Sequence, residues 1–430
     1  MSERPLRIGL LGCGTVGAAV VRLLAEHRED IARRAGRPLE VVRVAVRDAA
    51  RDRGLGLPSA AITTDARAVA TADDVDLICE LMGGVEPARE LILAALGAGH
   101  PVVTANKELI ATSGEDLFHA ADAADRDLFF EAAVGGGIPL IRPLKESLAG
   151  ERITRVLGIV NGTTNYILTR MTEEGSDFAV ALAEAQRLGY AEADPTADVG
   201  GHDAAAKCAI LASIAFNARV VSADVHREGI AAVTADDIAT ARRLGYVVKL
   251  LAIAEQDGDG RIAARVHPAM VPATHPLASV RDALNAVYVE GPNVGELMFS
   301  GRGAGGAATA TAVVGDLVAA ARNLIAGTHG VGCTCFHATR LRPFAETDGQ
   351  FALTLLVRDR PGALAEIAGV LGAHGISIKS AWQEGFDEDA RLVFVTHRAK
   401  ESAFEAARGE LGGLPSVREV RSVLRVEAEE

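Results

Sequence analysis

"LRIGLLGCGTVGAAVVRLL", residues Leu6 to Leu24, decides how the first third of the chain is read. An apolar run turns at Gly12, Gly14 and Gly17 and then continues with the spacing of an amphipathic helix. Alone, glycines at this spacing are a weak signal. Between a strand and a helix they gain a mechanism: they permit a tight turn and close backbone approach, and they aim the helix N-terminus, with Thr15 and Val16 in its first turn, at a pyrophosphate. The stretch predicts a dinucleotide site. A glycine-rich turn without function is the other reading.

The next strand, "LEVVRVAV", runs to Arg47, where an acidic residue would grip a free ribose 2′-hydroxyl. Arg51 and Arg53 follow closely, so a 2′-phosphate, and hence NADP, is favoured over NAD. Asp48 keeps the ribose alternative open, and all three arginines can equally be solvated loop charges. Strands at "VDLICEL", "PVVTA" and "LFFEAAV" alternate with helical stretches at Pro87 to Leu96 and Glu108 to Ala124. Such alternation predicts an α/β fold with a doubly wound parallel sheet, whose ligands lie beyond the carboxyl ends of its strands. "TANKELIA" (Thr104 to Ala111) occupies such an end. Lys107 there either faces nicotinamide and substrate or is an exposed lysine at a helix start.

"EAAVGGGIPLI" (Glu131 to Ile141) suits a tight turn or a cation site built from main-chain oxygens, and spacing alone favours the turn. "VLGIVNGTTNYIL" leads a β-branched strand into a turn where Asn161 or Thr163 caps a helix, or where a hydroxyl and free N–H groups meet an oxygen-bearing substrate. In "RLGYAEADPTADVGGHDAAAKCAILASIAF", Glu192, Asp194, Asp198 and Asp203 crowd ahead of Lys207. Asp203 and Lys207 stand one turn apart. They are either a helical ion pair, worth roughly 0.2 to 0.5 kcal/mol, or a catalytic pair in which burial among acids tunes a lysine.

At 430 residues the chain exceeds what one core usually supports, so two or three domains are expected. Its 49% hydrophobic and 23% charged residues are ordinary for a globular protein. A net charge of −13 without a basic patch argues against nucleic acid or an acidic membrane and fits a small-molecule enzyme. Five cysteines, at 13, 79, 208, 333 and 335, are few and odd in number and suit a reducing cytosol. No charge-free apolar run approaches the roughly 20 residues of a membrane span, so a cytoplasmic location is expected. "CTCFH" (Cys333 to His337) makes a poor tetrahedral zinc set.

After a loop of mixed composition, "FALTLLVRDRPGALAEIAGVLGAHGISIKSAWQEG" reads as strand, turn at Asp359 to Gly362, amphipathic helix and a strand from Ile376. "RLVFVTHRA" and "SVREVRSVLRVE" add strands around another helix. The order β-α-β-β-α-β predicts a ferredoxin-like domain of about 80 residues.

Six segments, "GLLGCGTVG", "VVTANKELIA", "FEAAVGGGIPLI", "VNGTTNYIL", "YAEADPTADVGGHDAAAKCAIL" and "GRGAGGAATATAVVGDL", in order from residue 7 to about 325, resemble homoserine dehydrogenases. The resemblance implies reversible NAD(P)H-dependent reduction of L-aspartate 4-semialdehyde to L-homoserine, on the route to threonine, methionine and isoleucine. It implies Lys207 as proton donor with Lys107 assisting, and Thr163, Glu192, Asp198 and Asp203 around the substrate. The matching cofactor positions are Gly12, Gly14, Thr15, Val16, Gly17, Arg47, Arg53, Thr104, Lys107, Gly162 and Gly303. A monovalent cation, Na+ or K+, is implied at Glu131, Val134, Gly136 and Ile138, which revises the turn reading.

The same resemblance divides the chain into a Rossmann-like nucleotide domain at 1–140 with 302–325 returning to it, an α+β catalytic and dimerisation domain at 141–301, a linker at 326–349 and a regulatory domain at 350–430. It implies a homodimer or homotetramer. The last domain resembles an ACT domain, which implies threonine feedback and a ligand site around Arg360 to Leu364 and Gly375; a structural oligomerisation module is the alternative. Two further readings stay open: an amino-acid sensor with an inert dehydrogenase core, and a different NADP-dependent dehydrogenase. A thiol-dependent semialdehyde dehydrogenase would need a cysteine at the nicotinamide, and Cys208 lies on a neighbouring face from Lys207.

Overall fold

β1 (Leu6–Leu11) is buried except at Arg7 and passes through the glycine turn into α1 (Thr15–Glu26). The computed structural model describes residues 4–386 and 388–427. β2 (Leu39–Ala45), β3 (Ile62–Thr63), β4 (Leu77–Glu80), β5 (Val102–Thr104) and β6 (Leu128–Phe129) join β1 in one sheet ordered β3-β2-β1-β4-β5-β6. Every neighbouring pair in it is parallel. Strand order reverses between β1 and β4, which opens a crevice at their carboxyl ends. α2 (Arg28–Ala35), α3 (Ala66–Ala70), α4 (Ala88–Gly97) and α5 (Lys107–Ala124) connect these strands.

The strand expected over "LFFEAAV" stops at Phe129, and Glu131–Ala133 form a single 3-10 turn. The cause is local. The buried Glu131 carboxylate accepts backbone N–H bonds from Leu140 at 2.5 Å and from Ile141 and Arg142 at 2.8 Å, which folds the chain back on itself.

The middle of the chain builds an antiparallel sheet from β7 (Arg155–Ile159), β9 (Tyr246–Gln256), β10 (Ile262–Pro272), β11 (Leu284–Gly291) and β12 (Gly295–Arg302), ordered β12-β11-β7-β9-β10, with β8 (His226–Arg227) beside β10. Five helices, α6 (Gly162–Glu174), α7 (Phe178–Arg187), α8 (Thr196–Val199), α9 (His202–Ala215) and α10 (Ala235–Arg243), complete the layer. α9 lies on β9 and β10 and is buried from Ala204 to Ala212, all round its circumference. Its many alanines let backbone layers approach closely. α11 (Gly306–Ala326) is apolar and long enough to cross a bilayer by composition alone, but it packs along α1 and buries Asp316.

β13 (Asp348–Arg358), α12 (Ala363–Ala373), β14 (Ile378–Phe386), β15 (Asp389–Thr396), β16 (Ala399–Lys400), α13 (Glu401–Leu411) and β17 (Val417–Val426) follow, with the sheet ordered β17-β13-β15-β14. This is the ferredoxin-like arrangement expected from the element order. One feature was not foreseen. β17 pairs in parallel with β10 at Ala269–Arg425 and Met270–Val426, so the two sheets run on as a single 11-stranded one. Buried ion pairs fasten the joint: Glu427 accepts from Arg155 at 2.6 Å and Arg265 at 3.0 Å, and Arg425 reaches Glu401 and, at 2.9 Å, Glu228.

Candidate active site

A cleft of about 1050 Å³ opens where the nucleotide sheet ends against the middle sheet. Its nucleotide side is shaped by the glycine turn. Gly12 has φ +93°, and a Cβ there would lie 2.7 Å from the Leu81 carbonyl; one on Gly17 would lie 2.5 Å from the Gly12 carbonyl. Over Gly14 the space is open, leaving room for a phosphate to approach the backbone. Val16 lines the cleft, and Thr15 abuts Gly306 at the start of α11. Arg53 reaches back to the turn: Nε donates to the Cys13 carbonyl at 3.3 Å, and its other nitrogens to the carbonyls of Asp48 and Arg51. The Asp48 carboxylate is taken by the Ala50 N–H at 3.0 Å. Arg47 and Arg51 are exposed.

The chemical centre gathers on Asp203. Its Oδ2 accepts from Lys207 Nζ at 2.7 Å and from Asn161 Nδ2 at 2.9 Å, while Oδ1 faces Lys107 Nζ at 3.0 Å. Lys207 also donates to the Val160 carbonyl at 2.7 Å. Three elements converge: α5 starts at Lys107, β7 ends just before Asn161, and α9 presents Asp203 and Lys207 one turn apart. Burial alone would raise the Asp203 pKa, but the two ammonium groups outweigh it and hold the carboxyl well below the usual carboxylate range. The Asp203 charge in turn raises Lys107.

Asn161 does two jobs. Its Oδ1 caps α6 by accepting the Thr164 N–H at 2.8 Å, and its Nδ2 spans Asp198, at 2.7 Å, and Asp203. Thr163 is thus not the cap; its hydroxyl donates to the Tyr190 carbonyl at 2.6 Å. Lys107, Gly162, Thr163, Asp198, Asp203, Lys207 and Gly303 all line the cleft. The helical ion pair forms as expected, and both Asp203 and Lys207 line the cleft.

Residues 139–318 match the family model for homoserine dehydrogenase, residues 12–131 the homoserine dehydrogenase NAD-binding domain, and residues 351–415 the ACT domain. The homoserine dehydrogenase of Corynebacterium glutamicum is 50% identical over 424 residues, 98% of this chain and 95% of that protein. The chain belongs to the homoserine dehydrogenase family. A solved homoserine dehydrogenase from Thiobacillus denitrificans superposes with a TM-score of 0.94 at 41% identity, covering 99% of this chain and 98% of that one. A hyperthermophilic archaeal homoserine dehydrogenase solved in complex with NADPH matches at a TM-score of 0.63 and 30% identity, over 74% of this chain and 98% of that one. This member of the homoserine dehydrogenase family is thus an oxidoreductase built for a nicotinamide cofactor, with an ACT domain attached.

Two expected contacts are drawn elsewhere in this homoserine dehydrogenase fold. Thr104 is fully buried and off the cleft wall, because its hydroxyl donates to Glu80 Oε2 at 2.6 Å. Glu192 is exposed and stands outside the cleft lining, on a loop whose carbonyls hold Gln186 Nε2. Other residues were missed. Glu80, whose pKa burial raises, accepts the N–H groups of Met82 and Gly83 and thereby shapes the turn that lines the cleft. Asn285 lines the cleft with its Oδ1 buried and unpartnered, and a Cβ on Gly303 would fall 2.0 Å from its amide carbon. An acid closing the buried "LICE" and a polar residue inside the apolar "LNAVYVE" were the available signals.

Proposed function

We propose that this chain catalyses the reversible NAD(P)H-dependent reduction of L-aspartate 4-semialdehyde to L-homoserine. The single observation carrying the reading is the Asp203 carboxylate bridging Lys107 and Lys207 in the cleft behind the glycine turn. The unpartnered Asn285 Oδ1 beside Gly303 fits the amide N–H of a nicotinamide carboxamide, the kind of donor a buried acceptor requires. When bound, the cofactor supplies hydride to the aldehyde carbon. Lys207 meets the carbonyl oxygen, stabilises the negative charge developing there and delivers the proton that completes the alcohol. Lys107 adds a second positive charge from the nicotinamide side. Asp203 keeps Lys107 charged and aims both lysines, and Asp198, Asp203 and Thr163 offer acceptors for the substrate ammonium group.

NADP is the preferred cofactor in this reading, because Arg53 sets a guanidinium beside the end of β2 while the Asp48 carboxylate is taken by the Ala50 N–H. The pyrophosphate lies over Gly12, Gly14, Thr15 and Gly17. A monovalent cation belongs at the glycine loop: the carbonyls of Val134, Gly136 and Ile138 receive no hydrogen bond from the described residues, and Glu131 adds a buried negative charge beside them. The ACT domain senses threonine near Arg360 to Leu364 and Gly375. The exposed edge strand β12 suits a homodimer or homotetramer, and five unpaired cysteines suit the cytoplasm. The domain limits given from the sequence complete this reading.

Purified protein incubated with L-homoserine should reduce NADP, followed by the ultraviolet absorbance of the reduced nicotinamide, and do so faster than NAD. Turnover of 2-hydroxy acids lacking the amino group, with none of homoserine, would overturn the substrate assignment. Titration with threonine and with K+ tests the two ligands separately.

A further inference from the structure

Away from the catalytic cleft, a smaller cavity of about 100 Å³ lies between α5 and α9, and residues 333–335 of the segment after α11 close it. Its floor is apolar, with Phe118 from α5, Phe130, and Ile210 and Ile214 from α9. Cys333 and Cys335 stand over that floor and are only half-buried. Cys13, Cys79 and Cys208 differ from them: all three are buried, and burial pushes each thiol up.

The two half-buried cysteines stand one residue apart and are hydrogen-bonded to each other. The Cys335 backbone N–H points at the Cys333 sulfur from 3.4 Å. Lys145 fastens the segment by donating to the carbonyls of Val331 at 3.0 Å and Gly332 at 2.9 Å, which brings an ammonium near Cys333. The other charged or titratable groups around the cavity are Asp122, Glu115, His119 and Arg219. Cys335 beside it and the nearby Lys145 outweigh burial and the Asp122 charge and bring the Cys333 thiol below its ordinary value. No group of three or more His, Cys, Asp or Glu among the described residues is placed to hold a metal.

We propose that Cys333 and Cys335 form a dithiol modification site for hydroperoxides, Cys333 attacking and Cys335 resolving. A thiolate is the nucleophile in such chemistry, and an adjacent second thiol makes the oxidation reversible. The Cys333 sulfur attacks one peroxide oxygen. The O–O bond breaks, the departing alkoxide takes a proton from solvent, and Cys333 is left as a sulfenic acid. The Cys335 sulfur, losing its proton, then attacks Cys333; the S–S bond forms and the S–O bond breaks, releasing water. In sum, two thiols give up two hydrogens and the hydroperoxide becomes an alcohol and water. The apolar floor accommodates the alkyl group of the oxidant.

The test treats the full chain with one equivalent of tert-butyl hydroperoxide and reads the peptide carrying both cysteines by mass spectrometry. The expected result is loss of the mass of two hydrogens from that peptide, restored by a thiol reductant. Cys335→Ser should stop at a sulfenic acid that dimedone traps on Cys333, and Cys333→Ser should remain unmodified; retained homoserine turnover shows that each variant is folded. In the unaltered chain, iodoacetamide at neutral pH should label Cys333 at least about tenfold faster than Cys335. Equal labelling of the two, oxidation spread over all five cysteines, or dimedone capture on Cys335 would overturn the assignment.

Discussion

Asp203 is the residue on which the proposed chemistry turns, because one carboxylate serves two lysines. Lys207→Ala should lower kcat by about 10²- to 10⁴-fold, the usual worth of a positioned proton donor, with little change in KM in steady-state assays. Asp203→Asn tests the bridge more finely. Lys107 is raised chiefly by the Asp203 charge, so removing that charge lowers the Lys107 pKa and should move the alkaline limb of the kcat/KM profile to lower pH. The Asp203 carboxyl is itself depressed, so its contribution to stability is present above the ordinary carboxylate range and is lost as pH falls below it. An unmoved alkaline limb in the Asn variant would remove Lys107 from the mechanism. Arg53→Ala should raise KM for NADP while leaving that for NAD nearly unchanged.

At the scale of elements, the glycine turn holds β1, α1 and the turn after β4 in contact with no room to spare. Gly17→Ala puts a Cβ 2.5 Å from a backbone oxygen that cannot swing away. Overpacking of this kind costs about 1–3 kcal/mol, and if it falls on the bound state the Kd for NADP rises roughly tenfold or more, which calorimetric titration would measure. The turn's contact with Leu81 was not legible in the sequence, whereas the glycine pattern was, because its own residues lie within a dozen positions. So was the pairing of Asp203 with Lys207, four apart on one helix. The double duty of Asn161 was half legible: Asn-Gly after a β-branched strand announces a cap, but nothing local says that Asp198 and Asp203 will come to meet it. The exposure of Glu192 was not legible for the same reason in reverse. Crowding in sequence signalled crowding in space, yet the loop turns that side chain outward.

Across the whole molecule, the ACT domain is fastened to the middle sheet at the joint between β10 and β17. Burial would raise the Glu427 carboxyl, but Arg265 and Arg155 hold it down at about 2. Its contribution is therefore fully present above the ordinary glutamate range and is lost only as pH falls from there toward about 2. Glu427→Gln removes a charge-assisted partner from the buried Arg265 and the half-buried Arg155, which keep Glu255, and should lower the unfolding free energy by about 1.5–3 kcal/mol, read from denaturant midpoints. Unchanged midpoints would make the joint incidental. No periodicity or motif foretold this junction, since Arg155, Arg265 and Glu427 are brought together only by the finished sheet. The joint also bears on how the chain is made. β10 leaves the ribosome long before β17 exists, so a nascent chain carries a stretch of sheet margin awaiting its neighbour. Unpaired margins recruit other strands. Translation that pauses before the final strand should therefore trap this protein with chaperones or in aggregates, and the interval before β17 emerges is its most vulnerable moment.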